Sequence, residues 1–309
     1  MKNFKPNSKI KSSQKGLLFT ALLAAQFSFA QNNHLEQFRV CLEQNDTLQQ
    51  FYILKDWEKF NNNDPELYTA YINHYYTKAK TIYLSLESTP TTEESLQVTD
   101  SLGNTQHLNE RIAFNHKLAN QGLAYIDEGI RRFPNRLDMR FGKIYVLKKV
   151  GRYDEFTQEV IKAINHSDIN KNQWTWAENK TVPDAKKFFL SSVQDYVLDL
   201  YDTENDDLLD NMKSISETVL RFYPAHIESY SNIAVVFLHK KDPDKALKYL
   251  LIALQMNSKD TVILSNTAKA YVMKNDKTNA IKYYEMVKEH GDSEMQNFAE
   301  EQIVELNKK

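Results

Sequence analysis

The stretch IESYSNIAVVFLHKKDPDKALKYLLIALQMNSKD, residues 227–260, is followed directly by TVILSNTAKAYVMKNDKTNAIKYYEMVKEHGDSE, residues 261–294, and the two align at a spacing of 34 residues. Ala234 recurs as Ala268, Asp242 as Asp276 and Ala246 as Ala280, while the aromatic Phe237 recurs as Tyr271. Within each copy, apolar residues return every three or four positions on either side of a polar turn, the spacing of two amphipathic helices joined as a hairpin. A fixed period of this length marks stacked hairpins, because each has an apolar side that only a neighbour covers.

Working outward, Arg221-Phe222-Tyr223-Pro224 precedes the first copy and is echoed by Arg131-Arg132-Phe133-Pro134, with Pro224 three residues before Ile227 and Pro134 three before Leu137. Basic residues suit the negative end of a helix and proline cannot continue it, so both prolines announce a hairpin. The second of these, residues 137–166, places Met139, Ile144 and Leu147 on one helix, turns at Gly151-Arg152-Tyr153-Asp154, and places Phe156, Val160 and Ala163 on the next. Downstream, Asp292/Ser293 can cap a last helix with Met295, Phe298, Ala299, Ile303 and Leu306 on one side and Glu300, Glu301, Glu305 and Lys308 on the other. A terminal unit needs this division, apolar toward the stack and charged toward water.

Upstream, Asp46/Thr47 can start a helix through Phe51, Leu54 and Trp57. Asp64-Pro65 starts another through Tyr68, Ile72, Tyr75 and Tyr76, whose pattern persists to about Leu86. Residues 87–107 (ESTPTTEESLQVTDSLGNTQH) exchange aromatics for Ser, Thr and acids, which predicts a mobile polar insertion, with helical period resuming near Asn109 and running to Phe133. Asn165–Val182 reads as a break containing Trp174-Thr175-Trp176, and Pro183-Asp184 starts a helix carrying Phe189, Val193, Tyr196 and Leu200.

The first 30 residues carry Lys2, Lys5, Lys9, Lys11 and Lys15 and no acid, then the apolar run Leu17–Ala25 and the small-large-small Ser28-Phe29-Ala30. This is the pattern of an export signal cleaved after Ala30, giving a mature chain 31–309 destined for a bacterial periplasm or outer membrane. Removing those five lysines takes the formal charge from −2 to −7, a balance that argues against nucleic acid as partner. No later segment is continuously apolar, so the mature form is not expected to span a membrane. Cys41, the only cysteine, cannot close an internal disulfide and lies too far past the cleavage site for lipid attachment, so it is expected to be a small buried residue.

Taken together, these hairpins resemble the tetratricopeptide repeat (TPR), whose signature places are held by Tyr230, Ile233 with Ala234, Phe237, Ala246, Leu250 and Ser258 in the first copy. In the second they are held by Leu264, Thr267 with Ala268, Tyr271, Ala280, Tyr284 and Asp292. The resemblance implies an all-α fold, a TPR-like right-handed helical-hairpin solenoid with insertions and a C-terminal capping helix. It also implies a scaffold that binds protein or peptide along the first helix of each hairpin, where asparagines hold an extended backbone.

Asn232 and Asn266 stand at equivalent places one period apart and are the candidates for that ladder, unless their amides serve neighbouring helix turns instead. Lysines for a carboxylate clamp are missing, with Ser231 and Ser265 in their places. Phe141 and Tyr145, one turn apart, are expected to face the groove. Trp174 and Trp176 either stack on a ligand, a sugar or a peptide side chain, or pin their connector over the helices. A glycan-binding component of an outer-membrane importer is the alternative function.

Chemistry finds no foothold. His pairs at helical zinc spacing, a Gly-rich phosphate cradle and a Gly-x-Ser-x-Gly elbow are all missing from the sequence, and Asp202-Thr203-Glu204-Asn205-Asp206 lacks the turn glycine of a calcium loop. No catalytic residue, metal or cofactor is expected.

Overall fold

The computed structural model describes residues 34–91 and 95–308, which fall into two compact units, Met1–Val146 and Leu147–Lys309. The export signal read at 1–30 lies outside the described residues. The N-terminal unit contains α1 (34–43), α2 (Thr47–Phe60), α3 (Pro65–Ala79), strands β1 (Lys80–Glu87), β2 (Leu96–Thr99) and β3 (Thr105–Phe114), then α4 (His116–Arg132). Helix α5 (Leu137–Lys149) follows, and the division between the units falls within it.

Local chemistry sets the helix starts. Asp46 accepts from the Gln49 amide at 2.9 Å, and Asp64 accepts from the Glu66 amide at 3.0 Å with Pro65 at the first helical position. The other Asp64 oxygen accepts from Trp57 Nε1 at 2.9 Å, which ties the start of α3 to the core of Phe38, Leu54, Trp57, Leu67, Ala70, Tyr71 and Tyr75. Helices α3 and α4 form a close hairpin because α4 presents glycine where they touch. A Cβ on Gly129 would lie 2.7 Å from Tyr68 Cβ, and one on Gly122 2.9 Å from Tyr75 Cβ. Along the same interface the Tyr71 and Tyr125 rings stack at 3.7 Å.

Arg136 and His74 are among the polar groups buried in this unit. Arg136 is enclosed between Glu66 (2.8 Å) and Asp138 (2.7 Å). Burial works against the guanidinium charge, but the two carboxylates more than offset it and hold its pKa above the usual arginine range. His74 is fully buried and meets Gln50 Oε1 at 3.0 Å through Nδ1.

The main correction concerns residues 80–114. Where the sequence suggested helix to Leu86, a polar loop over 87–107 and helix again from Asn109, the chain builds a three-stranded antiparallel sheet of order β1-β3-β2, inserted between the two helices of the α3/α4 hairpin. Ile82 and Leu86, like Leu108 and Ile112, are four apart and so satisfy a helical period. Leu84 between the first pair and the β-formers Thr81, Ile82 and Tyr83 satisfy the strand period as well. The pairing Ile82↔Ile112, Leu84↔Glu110, Leu86↔Leu108↔Leu96 settles which wins.

The C-terminal unit is helical throughout its regular elements: α6 (Tyr153–Ile169), α7 (Ala185–Tyr201), α8 (Leu209–Phe222), α9 (Ile227–His239), α10 (Pro243–Met256), α11 (Thr261–Met273), α12 (Lys277–His290) and α13 (Ser293–Lys308), with two short 3-10 turns in the connectors. Helix α6 runs on to Ile169, past the expected break at Asn165, because Ile164 and Ser167 still face the core. Asp184 takes a left-handed backbone before α7 and caps nothing with its side chain.

The 34-residue period is visible atom by atom. Asp242 accepts from the Lys245 amide and Asp276 from the Asn279 amide, each at 3.1 Å. Phe237 stacks on Tyr249 at 5.8 Å and Tyr271 on Tyr283 at 5.5 Å. Lys240 pairs with Asp210 and, one period on, Lys274 with Asp244, so the pattern reaches back into α8. Ala234, Ala246, Ala268 and Ala280 are all fully enclosed, which is what allows the helices to lie close. Each layer buries the next: α8 packs on α9, α10 on α11 and α12 on α13. Ala299 and Ile303 of α13 close the array against Tyr284 and Val287.

Candidate functional site

Helices α7, α9 and α11 are the first helices of successive hairpins, and α9 contacts both of the others. A cavity of about 370 Å³ opens along them. The α7 side chains reaching it are Gln194, Leu198 and Tyr201, at the spacing of one helix face, while Phe189, Val193, Val197 and Leu200 turn to the core. Helix α9 contributes Ser231, Asn232 and Val235, and α11 contributes Val262, Ile263 and Asn266. Leu198, Tyr201 and Val262 are exposed apolar surface, so the cavity offers apolar patches as well as amide groups.

The two asparagines singled out by the period are thus brought to one cavity, in different states. Asn232 Nδ2 donates to Gln194 Oε1 at 2.8 Å, and its Oδ1 accepts from Gln194 Nε2 at 3.3 Å. This reciprocal amide pair fixes both side chains across the α7/α9 contact. Asn266 is half-buried and lines the cavity from α11.

Gln194 and Glu228 also line a second, wider cavity of about 900 Å³, with Lys171, Asn172, Asp184, Lys186, Lys187 and His226. The two cavities adjoin at these shared residues, the one lined from α11 amide-rich and apolar and the other mixed in charge. Burial holds the His226 imidazole below the usual histidine range although Glu228, 3.5 Å away, works the other way. His226 Nδ1 lies 2.9 Å from Ser229 Oγ, and so the ring is held at the groove edge as a neutral hydrogen-bonding group.

The remaining candidates are placed elsewhere. Trp174 is completely enclosed, stacked on Phe189 at 5.6 Å and against His166 at 5.4 Å, which removes it as a ligand contact. Its neighbour Trp176 is 37% exposed and meets the edge of Phe188 at 5.7 Å. Phe141 and Tyr145 lie in the N-terminal unit, where Phe141 is half-buried and the exposed Tyr145 meets Tyr76 edge to face at 5.6 Å. Cys41 is half-buried. Gln194, Leu198, Tyr201 and Val262 were not anticipated; equating α7 with α9 and α11 as first helices would have found the α7 trio.

No family model and no curated protein matches the chain. Solved structures that it resembles include PilF of Pseudomonas aeruginosa, 16% identical over 58% of this chain and 71% of that one, with a TM-score of 0.37. A thermophilic TPR protein of Thermus thermophilus is 14% identical over 60% and 90%, TM-score 0.37. A tetratricopeptide repeat protein from Parabacteroides merdae is 9% identical over 85% and 80%, TM-score 0.36. At these scores the likeness is partial, and the 34-residue geometry of the chain itself defines its architecture. The fold is TPR-like.

Among the described residues no helix is long and apolar enough to cross a membrane, and no three His, Cys, Asp or Glu side chains gather as a metal site.

Proposed function

We propose that this chain is a non-enzymatic scaffold that binds an extended protein segment in the groove of α7, α9 and α11, in the periplasm or at the outer membrane. The observation that carries the reading is the meeting of Asn232 and Asn266, one period apart, on a single cavity that exposed Leu198, Tyr201 and Val262 also line. Amides at a repeat spacing suit a ligand whose own polar groups repeat, as a peptide backbone does, and the apolar patches suit its side chains. The compartment rests on the signal-like residues 1–30. The glycan reading drew on two exposed indoles, and with Trp174 enclosed only Trp176 is left to stack on a sugar; the peptide reading is therefore preferred.

The test is capture of a polypeptide from envelope extract by a photo-reactive residue at Val262. Asn266→Ala removes one amide contact worth about 1 kcal/mol and Asn232→Ala frees Gln194 from the pair that fixes it, so the double variant should lower capture by roughly 5-fold or more. Undiminished capture by the double variant would remove these residues from the site, and labelling of saccharide rather than polypeptide would overturn the reading.

A further inference from the structure

The inserted sheet has two unlike faces. On one, Glu87 pairs with Arg111 and accepts from Asn109 Nδ2 at 3.1 Å; Asn109 Nδ2 also donates to the Thr89 carbonyl at 2.9 Å, and its Oδ1 accepts from Ser95 Oγ at 2.6 Å. Asn109 is buried, so this network ties β1 and β3 to Thr89 and Ser95. Strand alternation and the pairing register put Ile82, Leu84, Leu86, Leu96, Val98, Leu108, Ile112 and Phe114 on the other face. Six of these, Ile82, Leu84, Leu86, Leu96, Val98 and Ile112, are between 46% and 66% exposed, so nothing in the chain's described residues covers them.

We infer that this face is the surface through which two copies of the chain associate, their sheets stacked face to face as a six-stranded sandwich. Area is the first argument. The six side chains present on the order of 600 Å², at the upper limit of what a soluble monomer leaves bare. Two such faces stacked about 10 Å apart would cover about 1,200 Å², the size at which specific interfaces begin. Pairing through the β1 edge alone would leave the whole surface in water.

Charge is the second. The face carries one base, Lys80 at its foot, and one acid, Glu110, placed on β3 beyond the end of β2 where the flank is open. The face is therefore neutral although the mature chain is acidic, and copy meets copy without like-charge repulsion.

Sedimentation of the full chain over a concentration series up to ~100 µM, far above the Kd expected of a buried apolar interface of this size, tests the inference. A concentration-dependent dimer is expected, with Leu84→Glu plus Leu96→Glu weakening it by at least ~100-fold because four carboxylates would be desolvated. Tyr83→Ser, on the opposite face of the same strand, should leave dimerisation unchanged, and helical circular dichroism checks that every variant is folded. A wild-type chain that stays monomeric throughout, whether because another protein or the residues before 34 cover the face, overturns the inference. So does a dimer that the double variant leaves intact.

Discussion

At the scale of single residues, the most informative is His74. It is fully buried, accepts or donates only through Nδ1 to Gln50, and burial, helped by nearby Lys78, pushes its pKa down to about 4. In the unfolded chain it titrates near 6.5. Below that value the unfolded state binds a proton that the folded state refuses, so stability is full above about pH 6.5 and declines as pH falls toward 4. The loss amounts to about 3 kcal/mol at most from this one group. Urea unfolding between those pH values should show the slope, and His74→Phe should flatten it; an unchanged slope would mean that other groups carry the acid sensitivity. No sequence pattern announced this role, because a lone histidine on an aromatic helix is as compatible with a surface as with a core.

At the scale of elements, the chain was legible wherever one period governed and illegible where two agreed. Asp242 and Asp276, the paired alanines and the aromatic places gave the hairpins α9/α10 and α11/α12 directly, because the aspartates cap the second helix of each and the enclosed alanines let its two helices lie close. Residues 80–114 misled, since Ile82 and Leu86 fit a helix turn as well as a strand face, and only the partner strand decides. In the site, Asn232 and Asn266 were legible as a repeat pair, whereas Gln194, the partner that holds Asn232, lies on a helix whose sequence departs from the repeat.

Hairpin closeness also makes a prediction at this scale. Gly129→Ala puts a methyl 2.7 Å from Tyr68 Cβ, a distance at which a helix must move. It should cost about 1–3 kcal/mol in thermal or urea unfolding, despite alanine being the better helix former. Gly142→Ala, with nothing within 4 Å of the added carbon, is the control and should be neutral or stabilising. Equal effects at the two positions would show that α3 and α4 are not in the contact described.

At the scale of the whole molecule, the C-terminal unit behaves as a repeat in which each layer is an interchangeable cover for the one before. Leu250 and Ala253 of α10 occupy, one period earlier, the places of Tyr284 and Val287, against which α13 docks. Removing one full period therefore leaves the terminal helix a surface it already fits, at the cost of one buried interface. Removing half a period leaves it none. The decisive measurement is thus the thermal melting of two deletion variants, one lacking Lys259–Asp292, a complete 34-residue period, and one lacking Thr261–Met273, helix α11 alone. The stacked-repeat account predicts that the first folds and melts about 5–10 °C below the intact chain, while the second loses far more. A full-period variant that melts no earlier than the intact chain, or a half-period variant that matches it, would contradict the account.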